Sequence, residues 1–119
     1  MVGLLLDRRQ AAPDAVPALV AGNERVLVEV LNGSGRRGLA RVATRVLREA
    51  GFDVVYFGTA PESVRVTQAL ARRGDSAAAA RVARALGTTR ARVLTDTLLR
   101  VDVTVLLGDD YKPPPGIRP

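Results

Sequence analysis

The chain has no cysteine, no histidine and no tryptophan, and only two tyrosines and two phenylalanines in 119 residues. Without cysteine there is no disulfide and no thiol nucleophile. With histidine missing too, the usual zinc sites and histidine acid–base catalysis are excluded. So few aromatics leave the core to valine, leucine and alanine, within an ordinary hydrophobic content of 47%. Lysine is nearly absent: Lys112 stands alone, so the formal net charge of +6 is carried almost wholly by arginine. An excess of that size attracts polyanions such as nucleic acid, anionic lipid or acidic cell-wall polymer. No segment reaches the roughly 18 apolar residues of a membrane span. Residues 2–6 are apolar but too few for a signal-peptide core, and no basic stretch precedes them.

The most informative stretch is Val26-Leu27-Val28-Glu29-Val30-Leu31-Asn32-Gly33-Ser34-Gly35-Arg36-Arg37-Gly38. An alternating strand runs into a turn with three glycines, and a helical pattern follows at once. The helix is expected over residues 38–50, with Leu39, Val42, Ala43, Val46 and Leu47 on one face and Arg41, Arg45 and Arg48 on the other. Gly51 stops it. A second strand is expected over 53–57, a turn with Pro61 over 58–62, and a third strand over 64–72. Asp75 or Ser76 caps a second helix that runs to Leu86 and stops at Gly87. A last strand spans 101–107. Residues 1–24, with Pro13 and Pro17, read as a flexible lead-in, 25–111 as the domain, and 112–119, with Pro113-Pro114-Pro115, as an extended tail.

The order strand, helix, strand, strand, helix, strand predicts an α+β, ferredoxin-like βαββαβ fold: a four-stranded antiparallel sheet with two helices on one face. In that topology the first and last strands are antiparallel neighbours. The glycine turn then falls near Gly58, Arg100 and Asp102, with residues 108–111 at the far end. Glu29, Asp102 and Thr104 lie on the open sheet face.

As a pattern the turn is G-x-G-x-x-G, the mark of a dinucleotide-binding loop. Such a loop needs a parallel sheet and a carboxylate about 20 positions on, at the end of the second strand. Asp53 stands at the start of that strand, and its end is Phe57-Gly58. No nucleotide cofactor is therefore expected, and Gly33, Gly35 and Gly38 serve backbone geometry.

Val28-Glu29-Val30-Leu31-Asn32-Gly33-Ser34-Gly35, followed by Gly38-Leu39-Ala40, resembles the opening motif of the LytR C-terminal domain of LytR-CpsA-Psr cell-envelope proteins. The similarity continues through Gly51-Phe52-Asp53-Val54, Leu99, Asp102-Val103-Thr104-Val105 and Leu107-Gly108-Asp109-Asp110-Tyr111. The resemblance implies a noncatalytic accessory domain on the extracytoplasmic face of the envelope, binding peptidoglycan or its attached anionic polymers. It also implies an N-terminal membrane anchor, which these residues lack, and it supplies no ligand residues.

From the residues themselves, the candidate anion site is Asn32, Gly33, Ser34, Gly35, Arg36 and Arg37. The two arginines stand at the start of the first helix, where free N–H groups and the dipole favour an anion. Asn32 and Ser34 either add donors or cap the turn. The stripe Arg41, Arg45, Arg48, joined by Arg81 and Arg84, is a second electropositive face. Phe52 and one of Tyr56 and Phe57 are expected in the core. Asp109 and Asp110 lack the further oxygens a Ca²⁺ site requires, so no metal site is expected. No catalytic residue is assigned. Two other readings are a nucleic-acid-binding sheet and self-association through the open sheet face or an edge strand. The first is weakened because 26–31 and 64–72 contain no aromatic for base stacking.

Overall fold

Alternation places Val28 and Val30 fully inside while Leu27, Glu29 and Leu31 stay half-buried, forming strand β1 (Leu27–Asn32) in this computed structural model, which describes residues 25–116. The lead-in over 1–24 and the end of the tail, 117–119, lie outside the described residues. Helix α1 (Leu39–Glu49) buries Leu39, Ala43 and Leu47 and exposes Arg41, Arg45 and Arg48, as its spacing predicts. Strand β2 (Asp53–Thr59) and the short β3 (Gln68–Ala71) follow. Helix α2 (Ser76–Leu86) starts on Asp75, whose carboxylate accepts from the Ala78 amide at 3.0 Å, and ends on Gly87 in the left-handed conformation. Strands β4 (Ala91–Val93) and β5 (Val103–Leu107) complete the order. Both helices pack on one face of the sheet and meet each other there, over a core of Val28, Val30, Leu47, Val54, Val82, Val103 and Val105.

The sheet departs from the expectation. It has five strands in the order β2-β1-β5-β3-β4, and it is mixed, not antiparallel. Strand β1 is parallel to both β2 and β5, β3 is antiparallel to β5, and β4 is parallel to β3. The α+β class holds; the four-stranded ferredoxin-like arrangement does not. Two strand–helix–strand units, β1-α1-β2 and β3-α2-β4, flank β5. A half-turn about the sheet normal through β5 maps one onto the other, so their crossovers share one hand.

The reason lies in residues 60–67. A hairpin would have set β3 beside β2. Instead this segment crosses the carboxyl ends of β1 and β5: Asn32 accepts from Ala60, Gly33 from Val64, Val64 from Asp109, and Arg65 from Asp110. The crossing is close enough to demand glycine on both sides. A Cβ on Gly108 would stand 2.6 Å from the Arg65 carbonyl carbon, and one on Gly33 would collide with Val64. Strand β3 is consequently shorter than the predicted 64–72.

Because β1 and β5 run the same way, the glycine turn lies beside residues 108–111 and away from Arg100 and Asp102. Asp102 sits at the opposite end, where its carboxylate accepts from the Leu27 amide at 2.9 Å. It therefore does not join Glu29, which instead accepts from the buried Thr104 hydroxyl at 2.6 Å while Arg72 donates to the same oxygen at 2.9 Å.

Candidate functional site

The glycine turn is held from within. Asn32 Oδ1 accepts from the Ser34 amide at 3.0 Å and its hydroxyl at 2.7 Å, and Asn32 Nδ2 donates to the Arg36 carbonyl at 2.8 Å. Ser34 Oγ accepts in turn from the Arg36 amide at 3.0 Å. Of the two roles open to Asn32 and Ser34, capping is the one observed. Gly35 and Gly38 adopt φ of 80° and 84°, where L side chains are strained. Gly38 is also the N-cap of α1, with no side-chain hydrogen bond there. The Arg36 guanidinium donates to the Asp109 carbonyl at 3.1 Å and the Tyr111 carbonyl at 2.7 Å, so it ties the turn to the end of β5. Arg37 is exposed.

A groove opens from this turn and runs between α1 and β2. Its upper lobe, about 700 Å³, brings together Asn32, Gly35, Arg36 and Arg37 with Arg41 and the β2 residues Phe57, Gly58 and Thr59. Gly33 and Ser34, the other predicted site residues, do not line it; Gly33 is buried beneath Val64. The lower lobe, about 440 Å³, shares Arg41 and Phe57 and adds Thr44, Arg45, Arg48 and Glu49. One helix edge supplies most of this wall. At 100° per residue, Thr44, Arg41, Arg48 and Arg45 fall within about a third of a turn. Arg48 Nη2 donates to the Val54 carbonyl at 2.8 Å, which lays its guanidinium against β2. Among the described residues no carboxylate forms an ion pair with Arg37, Arg41, Arg45 or Arg48. Arg81 and Arg84 lie on α2 and do not line the groove.

Two of its residues were not legible as site residues. Phe57 and Tyr56 are both exposed, at 38% and 57%, so neither member of the pair is in the core. Strand β2 is an edge strand with a bulge between its pairings to Val28 and Glu29, so Val55, Tyr56 and Phe57 all reach solvent. Thr44 is 3% exposed, and its hydroxyl finds no hydrogen-bond partner.

A family model described as LytR cell envelope-related transcriptional attenuator matches residues 25–111. The chain belongs to the LytR C-terminal domain family. It is therefore one of a family of accessory domains associated with the cell envelope. Among solved structures, the C-terminal domain of RV0431 is 27% identical over 87% of each chain, with a TM-score of 0.44. No curated protein matches. No helix of the described residues is long and apolar enough to cross a membrane.

In this LytR C-terminal domain the two motif blocks close on the crossing segment from either side. The Asn32–Gly35 block holds Val64. The Gly108–Tyr111 block holds Thr67, whose amide and hydroxyl each donate to Asp110 Oδ1 at 2.8 Å and whose hydroxyl accepts from the Gly108 amide at 3.0 Å. Desolvation works against the charged form of Asp110. The Thr67 donors, with the Asp110 amide and the Arg90 charge, outweigh it and hold the carboxyl below its ordinary range. Burial alone pushes the Tyr111 phenol up. Tyr111 is buried and offers no ring for docking. Among the described residues no three acidic side chains gather as a metal site.

The parallel β1-α1-β2 unit removes one objection to a dinucleotide reading of the turn, since such loops join parallel strands. The chemical objection stands: β2 ends in Phe57-Gly58-Thr59, with no carboxylate for ribose hydroxyls.

Proposed function

We propose that this domain is a noncatalytic, extracytoplasmic binding module for peptidoglycan-attached anionic polymers, held in the α1–β2 groove. The observation that carries the reading is the set of arginines Arg37, Arg41, Arg45 and Arg48 along one groove, without carboxylate partners among the described residues. Arg41 and Arg45 are four residues apart, about 6 Å along the helix axis. That spacing suits successive charges of a polymer better than a single small anion. The open start of α1 adds unbonded amides and a positive dipole end at the groove mouth. Part of the predicted turn site thus serves as one end of a longer surface.

The test is a pull-down on purified peptidoglycan sacculi, with and without attached polymers, at two salt concentrations. Retention that requires the polymers and falls with salt is expected, because exposed charges are screened within about 10 Å at 0.1 M. Retention indifferent to both would sink the groove as the binding surface.

Self-association is a second reading with its own observation: Val93, Leu94 and Leu98 are exposed on and just after the edge strand β4, Leu98 at 90%. Sedimentation that does not change with concentration would dismiss it.

A further inference from the structure

We infer that the lower lobe of the groove is a sugar subsite set among charged ones, so that the ligand class is a polymer bearing its anionic groups on sugar rings. This rests on the groove reading above and narrows it.

A groove for a bare polyanion needs only cations and donors on mobile side chains. This lobe holds two further features. The Phe57 ring is more than a third exposed on an edge strand, flanked by Arg41, Arg45 and Arg48. An aromatic face presents negative charge density, which suits the weakly positive C–H face of a pyranose. Thr44 also lines the lobe, with its hydroxyl buried and unpartnered. A buried hydroxyl without a partner carries a desolvation cost that a ligand hydroxyl would remove. An aromatic platform and one buried polar group, bordered by cations, is the arrangement that orients a ring while its charges are held alongside. Glu49 at the end of the lobe is the one acid there, and it accepts from sugar hydroxyls while disfavouring an anion at that point.

The experiment compares two synthetic phosphodiesters of four repeats, one of hexosyl phosphate and one of glycerol phosphate. Their charge is equal, and they differ in the ring with the hydroxyls and phosphate spacing it brings. Titration calorimetry on the whole chain is expected to show the hexosyl oligomer bound about 3- to 10-fold more tightly. Phe57→Leu should lower hexosyl affinity to about that for glycerol phosphate and so abolish the preference, and Thr44→Val should weaken the hexosyl oligomer more than the glycerol one. Melting curves on both variants verify that they fold.

Equal affinity of the unaltered protein for the two oligomers, with both lost in Arg41→Glu/Arg45→Glu, would overturn the sugar subsite and leave the anionic groove standing. Binding of neither oligomer would overturn both.

Discussion

The unit β1-α1-β2 and the unit β3-α2-β4 stand on either side of β5 with the same plan, and their helices present different side chains to their edge strands. Helix α1 turns arginines and a threonine toward the β2 side, and a groove opens. Helix α2 buries Ala78, Ala79 and Ala83 and settles on its strands. Their starts differ in the same sense. Asp75 closes the beginning of α2, whereas α1 begins on Gly38 with no side-chain cap, leaving amides free at the groove mouth. One half is closed over its strands, and the other leaves a groove open. Small side chains and a cap make the first kind of unit; cations and an uncapped turn make the second.

The harshest way to break this comparison is to attack what both halves share. Gly108→Ala drives a Cβ into the Arg65 backbone, which has no rotamer to give way. A loss of about 2–3 kcal/mol is expected by urea denaturation. A loss below half of that would mean the crossing is looser than described.

Exchanging charge between the halves gives the next largest effect. Arg41→Glu/Arg45→Glu should reduce binding to polymer-bearing sacculi by at least about tenfold, through lost attraction and new repulsion. Arg81→Glu/Arg84→Glu on α2 makes the same change in net charge and should leave binding within about twofold at moderate salt. Equal losses would show that net charge acts, not the groove.

The smallest effect separates the ties of each half to the end of β5. Arg36 secures the first half, and Asp110 secures the crossing that leads into the second. A carboxyl held low in the folded state contributes stability that is complete above its unfolded value. That contribution is lost as pH falls through the folded one. Stability should therefore decline below about pH 4, and Asp110→Asn should flatten that limb at a cost of about 1 kcal/mol near neutrality, reduced by solvent exposure. An unchanged acid limb in the variant would remove Asp110 from the account.

The contrast also sorts what the sequence could and could not disclose. Helices α1 and α2 are written in their periodicity and stops, β1 and β5 in their alternation, and β2 in its run of β-branched and aromatic residues. Strand β4 is three residues long, too short for any period to declare itself. Strand order was beyond local reading. Whether residues 60–67 turn back as a hairpin or cross the sheet ends depends on Gly33 and Gly108 admitting a backbone at close range, and nothing nearby in sequence records that. The same gap hid the groove. Asn32–Arg37 could be read as a turn with two arginines, and Arg41, Arg45 and Arg48 as a stripe. Only the direct pairing of β2 with β1 joins them, by bringing Phe57 alongside α1. Thr44 carried a faint signal, sharing a helix edge with Arg41 and Arg48.

Strand β5 is the last in chain order and the central one in space, and among the described strands nothing else pairs with both β1 and β3. A ribosome delivers it after every other element. Until it arrives, the two halves have no ladder between them, and residues 60–67 lack their bonds to residues 108–110. Synthesis from the N-terminus therefore leaves the joining of the two halves to the last strand made.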